Sequence, residues 1–497
     1  MYYLNNEPAA LPSPANLAPR DVHSSTLELK TVSINPDGKW SEEEFHTFRV
    51  TSAPFTDTYT VQQAINAFGF GWFHVKLSLL VGLCWMSDSM EMAILSILGP
   101  SLFCEWNVTK FQQASVTTVV FLGMMLSSSF WTQLSNRYGR KSALTLFGVL
   151  LVLYSILSSV APSYAWLLTL RGLVGFAIGC VPQSVTLYAE FLPTKHKGKC
   201  VVLMDCFWAL GACFEVVLAL VVYPYYGWRG LLALSATPLL IFTILSPWLS
   251  ESARYYSYNG HNDKAIKVLE QIAHNNKRHM LMGRLMADDE PSCAESFRSL
   301  LSPSLYRTTI LLWFLWLASA FCYYGLVLVT TELLVARNKE SHPNECVTFM
   351  TSDFMDLLWI TLSEFPGILL TIKVVKLFGK KKTIVLQYLA LVLCTLVLMS
   401  VESRFSTSVT LFIARGTISG IFQAIYVYTP EIYPAALRSV GVSGCSVLAR
   451  LGAMLTPFVA QVLMDSSRIQ AMSTYAIVGL LASIACVFLP RETVGYH

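Results

Sequence analysis

Asp88 and Glu91 stand three residues apart in an otherwise apolar run. On a helix that spacing puts both carboxylates on one face. Asp205 and Glu215 lie in a second apolar run, Asp356 and Glu364 in a third, and Arg450 in the middle of a fourth. An ionised group near the centre of a bilayer is costly unless it is paired or hydrated. Carboxylates kept in such runs therefore point to holding a cationic solute or carrying a coupling proton. The structural alternative is that each acid pairs with an Arg on a neighbouring helix. Asp88, Glu91, Asp205, Glu215 and Glu364 are the candidates for solute or proton contact. Tyr323, Tyr324 and Tyr426 join them, since aromatic rings attract cations through their quadrupole; they serve equally well as packing, as does Tyr428. No hydrolase motif stands out, and no paired His or Cys spacing suits a metal. The reading therefore assigns no catalytic residue, no metal ligand and no cofactor, and expects no enzyme.

The elements that must position these groups follow from composition. The chain of 497 residues is 54% hydrophobic and 13% charged, against about 25% charged in soluble domains. Its apolar residues fall in blocks of about 20, the length that crosses a bilayer as helix. Twelve spans are expected, at 77–98, 114–134, 142–161, 166–187, 200–222 and 229–249, then 307–331, 354–375, 383–401, 408–429, 438–463 and 471–489. The fold class is thus an all-α membrane protein of two six-helix halves, 76–249 and 307–490. A polar central segment, 250–306, joins them, with helical pattern near Asp263–His274. Residues 1–75 read as a polar, Pro-rich and largely disordered tail without a cleavable signal peptide, and 491–497 as a second tail. A net charge of +4 does not imply nucleic acid. The 12 Cys lack metal spacing and read mostly as packing residues.

Loop charges orient the chain by the positive-inside rule. Arg137, Arg140, Lys141, Lys195, Lys197, Lys199, Lys376 and Lys380 to Lys382, with the basic central segment, fall on one side. That side, with both termini, is expected to be cytoplasmic. The sequon Asn107-Val108-Thr109 falls in the first loop on the other side, which makes Asn107 the candidate glycosylation site. Cys104 and Cys346 also lie on that side, and a disulfide between them would restrain the two halves.

Two distant stretches repeat. Arg171-Gly172 opens an apolar run ending in Glu190-Phe191-Leu192-Pro193, and Arg415-Gly416 opens one ending in Glu431-Ile432-Tyr433-Pro434, with Arg438 beyond. Repeated halves around a midplane site are a transporter architecture. Arg171 and Arg415 read as residues near span ends, able to snorkel. With Asn136, Arg137, Arg140, Glu190, Glu251, Arg254, Glu431 and Arg438 they form the expected cytoplasmic gate network.

These motifs resemble the major facilitator superfamily over nearly the whole chain from about residue 70. Asn136-Arg137-Tyr138-Gly139-Arg140-Lys141, Glu251-Ser252-Ala253-Arg254 and Pro490-Arg491-Glu492-Thr493 carry the resemblance, with the two Glu-x-x-Pro loops. Trp85 to Met92, Val181 to Glu190 and Leu362 to Gly367 are more narrowly similar to the synaptic-vesicle-two-related group. The resemblance implies alternating access in a monomer embedded in membrane lipid, with a small-molecule solute as its partner. It also exposes departures. The family's latch places a Gly where this chain has Thr132, and acids where it has Asn136 and Lys376. At sugar-porter positions the chain has Trp313, Phe314 and Ser319 on the seventh span, Asp205 on the fifth and Tyr426 on the tenth. Carboxylates and aromatics in place of neutral amides imply an organic cation or other charged metabolite rather than a hexose. Loss of both latch acids keeps a second class open: a non-transporting ligand-binding or vesicle scaffold protein with the same fold.

Overall fold

A computed structural model of the protein describes residues 33–34, 40–41, 58–286, 297–341, 349–434 and 437–490. Among the described residues before Tyr59, β1 (Ser33–Ile34) pairs antiparallel with β2 (Trp40–Ser41), in a unit apart from the rest. Everything else is one unit dominated by helix.

The N-terminal half contains α2 (Trp72–Trp106), α3 (Lys110–Tyr138), α4 (Arg140–Ser159), α5 (Tyr164–Ile178) continued by α6 (Val181–Phe191), then α7 (Thr194–Leu203), α8 (Asp205–Ser235) and α9 (Thr237–Leu245). Among the described residues eleven helices are long and apolar enough to cross a membrane, not twelve. The difference lies in one continuous stretch of 44 residues, Asp205–Trp248. As straight helix it would reach about 66 Å, roughly twice a hydrocarbon core. It breaks at Gly227, whose φ of 62° and ψ of −161° are not helical, so the stretch supplies two crossings. The C-terminal half contains α12 (Tyr306–Ser341), α13 (Thr351–Leu362) continued by α14 (Glu364–Phe378), α15 (Lys380–Ser400) and α16 (Arg404–Ile432). It ends with α17 (Arg438–Pro457), a π-helical stretch Phe458–Leu463, α18 (Met464–Ser466) and α19 (Arg468–Val487). The two ends of the bundle are called here the sequon face, which carries Asn107, and the basic face, which carries the Lys- and Arg-rich connections.

A short domain caps the basic face of the N-terminal half. α1 (Val61–Phe68) is opened by a capping box of Thr60 and Gln63, which satisfies two otherwise orphan N–H groups. It packs on α11 (Asn262–Asn275) and α10 (Ala253–Tyr258). Strands β3 (Thr58–Tyr59) and β4 (Arg284–Leu285) pair, and Asn276 ties the cap to the first membrane helix by accepting from the Phe73 N–H at 3.2 Å. The end of the expected disordered tail, from residue 58, is therefore folded, because its apolar face (Val61, Ala64, Ile65 and Phe68) is fully covered.

The turn joining α3 to α4 needs Gly139. Its φ is 97°, and a Cβ there would strike the Glu251 carboxylate. Glu251 in turn accepts the backbone N–H groups of Arg140 at 2.9 Å and Lys141 at 3.1 Å, placing an anion on the positive N-terminus of α4. Burial raises the Glu251 carboxyl above its ordinary value, while those N–H donors pull the other way. Cys104 is disulfide-bonded; Cys346 lies outside the described residues.

Candidate functional site

A cavity of about 170 Å³ opens between the halves. The N-terminal half contributes Trp85 and Asp88 from α2, Phe121 from α3, and Asp205 and Trp208 from α8. The C-terminal half contributes Trp316, Tyr323 and Tyr324 from α12, Glu364 from α14, Phe422, Gln423 and Tyr426 from α16, and Arg450 from α17. Six of the eight candidates for solute or proton contact therefore line one space: Asp88, Asp205, Tyr323, Tyr324, Glu364 and Tyr426.

Their environments differ. Asp88 is 7% exposed, and its Oδ1 has no hydrogen-bond partner among the described residues. Asp205 accepts the side-chain amide of Gln423 across the interface. Glu364 Oε1 accepts from Arg415 Nε at 2.7 Å and from the Tyr323 hydroxyl at 2.9 Å. The Tyr323 oxygen itself accepts the Trp208 indole N–H at 2.7 Å. A hydrogen-bonded chain thus runs from α8 in one half to α16 in the other. The walls are aromatic: Phe121 lies 4.7 Å from Tyr324 and Trp316 4.8 Å from Tyr426, ring centre to ring centre. Such walls combined with an unpaired carboxylate can hold an ammonium group by charge and by ring quadrupole.

Glu91 and Glu215 turn away from the cavity, although Glu91 is one helical turn from Asp88. Glu91 pairs with Arg171 at 2.7 Å and accepts from Ser155 at 2.9 Å. Glu215 is fully buried and accepts from Ser235 at 2.8 Å. A three-residue step leaves about 60° between side chains. On a helix wedged between the cavity and its own half, that angle separates a cavity wall from a packed interior.

The expected gate network divides. On the basic face Arg140 Nε reaches Glu190 at 3.3 Å, Glu251 caps α4, and Lys380 pairs with Glu431. Arg254 donates to Gln62 at 2.7 Å. The Arg137 guanidinium lies 5.4 Å from the centre of the Tyr138 ring, while Asn136 and Arg438 are exposed. Arg171 and Arg415 do not belong to this network, nor are they snorkelling residues. They sit inside the bundle, 0% and 5% exposed, and take their carboxylates from Glu91 and Glu364 rather than from the distant Glu190 and Glu431. Full burial of an Arg demands a nearby anion, and the sequence pairing within one helix cannot supply it.

Trp85, Trp208, Trp316, Phe121, Phe422 and Gln423 escaped the sequence reading. An aromatic residue in an apolar run has the same local signature whether it meets lipid, a neighbour or a cavity. Ser319, a sugar-porter position, instead bonds the Tyr388 hydroxyl at 2.7 Å in the packed interior. Asn107 is exposed on the sequon face and ends α2 in a left-handed conformation.

Comparison with known proteins bears on this site. A family model described as sugar (and other) transporter matches residues 84–497. The chain is 50% identical over 478 residues to the synaptic vesicle 2-related protein of Rattus norvegicus, spanning 94% of this chain and 86% of that one. It is 33% identical over 476 residues to organic cation/carnitine transporter 7 of Arabidopsis thaliana, spanning 88% and 95%. Among solved structures, the inward-open xylose transporter XylE from E. coli matches with a TM-score of 0.65, over 85% of this chain and 97% of that one, at 16% identity. That last likeness speaks to the fold alone.

Proposed function

The chain belongs to the sugar and other transporter family of the major facilitator superfamily, and from that premise we propose a secondary transporter for a small, positively charged organic solute. It is a multi-pass membrane transporter by family. The finer reading is alternating access around the cavity between the halves, with Asp88 as the principal contact for the cationic group. One observation carries it: a buried carboxylate without a hydrogen-bond partner on its Oδ1, in an aromatic-walled space that both halves line. A retained buried carboxylate of this kind is costly unless something cationic arrives to balance it. The 33% identical plant relative, an organic cation/carnitine transporter by name, supports a solute with a cationic group. Asp205 and Glu364, already engaged by Gln423 and Arg415, act as second contacts or proton carriers.

The basic face is read as cytoplasmic, with both termini on it, and the membrane as that of a vesicle, following the name of the half-identical relative. The rival reading, a non-transporting ligand-binding or scaffold protein, draws on Thr132, Asn136 and Lys376 standing where the latch Gly and acids would be.

Uptake of a panel of organic cations into proteoliposomes at two pH values tests the proposal. Saturable uptake, reduced at least tenfold by Asp88→Asn, is expected, since a desolvated charge contact is worth about 2 kcal/mol or more. Ligand binding with no flux in the wild type favours the scaffold reading.

A further inference from the structure

On the sequon face the halves meet along a seam. Phe111 of α3 lies 5.5 Å from Phe458, ring centre to ring centre, and the Thr118 hydroxyl donates to the Met454 carbonyl at 3.2 Å. In the same seam Gln113 of α3 meets Gln461 of the π-helical stretch over Gly99 of α2. A Cβ at Gly99 would stand 3.0 Å from Gln461 Nε2 and 3.6 Å from Gln113 Oε1. Both glutamines are 1% exposed. Yet both amide atoms of Gln113, and Oε1 of Gln461, have no hydrogen-bond partner among the described residues. Two amides packed around one glycine without bonding are a costly way to join two halves. The backbone at this spot is weakened as well. Pro100, next to Gly99, lies inside α2, and Pro457 stands where α17 passes into the π-helical stretch. Each lacks the N–H that would bond the carbonyl four residues back. Beyond Pro457 the Met464 N–H returns to Val459, five residues earlier. Prolines and π-helical turns are where helices bend.

We propose that Gln113 and Gln461 gate the sequon face. The closed seam strands their amides, and the open seam gives them to water. The pair therefore holds the closed state near balance with the open one, a bias that the Lys110–Glu332 ion pair opposes. The bend that parts the seam is placed at Pro100 on one side and at Pro457 with the π-helical stretch on the other. Local weakness of backbone and polar satisfaction at one contact is the mark of a working part rather than a packed core. The inference rests on the transporter reading above, since alternating access is what requires the seam to part. It adds two positioning residues that do not line the cavity.

The test uses the detergent-purified full chain and needs no solute. Ser96→Cys supplies the reporter. Ser96 lies one turn from Gly99 on the same face of α2, 2% exposed and outside the cavity lining. Its modification by a charged methanethiosulfonate is followed by peptide mass spectrometry, which separates it from the native cysteines. Met is the unbranched apolar match for Gln. Gln113→Met combined with Gln461→Met should slow labelling on the order of tenfold, because removing two stranded amides favours the closed seam. The unfolding midpoint should hold or rise. Gln470→Met, at an exposed position on α19, should change neither. Faster labelling, a lower midpoint or failure to fold in the double variant overturns the proposal, since each means that the amides are satisfied in the closed protein. Labelling unchanged by the double variant overturns it too, as does a reporter that never reacts in the otherwise native chain. Labelling that slows as expected in a protein without uptake removes the transport reading and leaves the gate standing. Uptake with unchanged labelling does the reverse.

Discussion

At the residue scale, the molecule keeps charges inside the membrane by three different arrangements. Arg171 with Glu91 is a closed pair, supported by the Ser155 hydroxyl. Arg415 with Glu364 is a pair that also bonds a cavity tyrosine. Asp88 and Arg450 share a cavity without touching. The last two both border the cavity, and there Asp88 Oδ1 and Glu364 Oε2 lack hydrogen-bond partners among the described residues. Removing one member of a closed pair strands the other, which costs about 3–5 kcal/mol in a buried site. Glu91→Gln and Arg171→Gln should therefore each lower the thermal unfolding midpoint in detergent markedly. The double variant should recover a large part of that loss, because neither charge is then stranded. Additive losses in the double variant would mean the two residues act independently. The acid positions were readable from sequence, since a carboxylate in an apolar run stands out. Their sorting was not: Asp88 and Glu91 share a local signature and part company only through the roughly 60° between them.

At the element scale, close helix approach fixes where those side chains point. Gly175 on α5 packs so tightly on α3 that a Cβ would fall onto the backbone carbonyl of Val120. Gly172 and Gly175 lie on a small-residue face of α5, and α3 is the helix that meets it. Gly175→Val should push α5 away from α3, shift Arg171 from Glu91, and destabilise by about 1–3 kcal/mol. Gly198 on α7 is the control. A Cβ there meets nothing within 4 Å, so Gly198→Ala should leave the unfolding midpoint unchanged or slightly raised. Equal effects at the two sites would remove the close-approach argument. The Gly227 break shows the opposite limit of sequence reading. Hydropathy separated the fifth and sixth spans, while the chain passes from one to the other with no connecting loop, only the non-helical Gly227.

At the scale of the whole molecule, the halves are joined asymmetrically. On the sequon face Lys110 of α3 bonds Glu332 of α12 at 2.6 Å, and Phe111 lies against Phe458. Among the described residues the basic-face ion pairs, Arg140 with Glu190 and Lys380 with Glu431, each stay within one half. The halves are therefore joined, among the described residues, by an ion pair on the sequon face, while the basic-face pairs named here do not cross between them. Lys110→Ala or Glu332→Gln should loosen the sequon face and favour its opening. Hydrogen exchange by mass spectrometry should then quicken in the first turns of α3 and the last turns of α12. Unchanged exchange there would show that the ion pair does not hold the halves. The internal repeat is also asymmetric in detail. Arg171 and Arg415 occupy matching places in the two halves, yet one takes its carboxylate from α2 and the other from α14.

The sequence by itself determined the number of crossings, the two-half plan and the set of buried acids. Each depends on composition along the chain: a bilayer demands about 20 apolar residues per crossing with every backbone group bonded, and any charge inside such a run is conspicuous. Only the tertiary structure decided which Arg serves which acid, that Glu91 and Glu215 leave the cavity, and that Asp88 faces Arg450 across it. Those outcomes depend on how each helix is rotated about its axis and how closely it meets its neighbours, and residues hundreds of positions away set both.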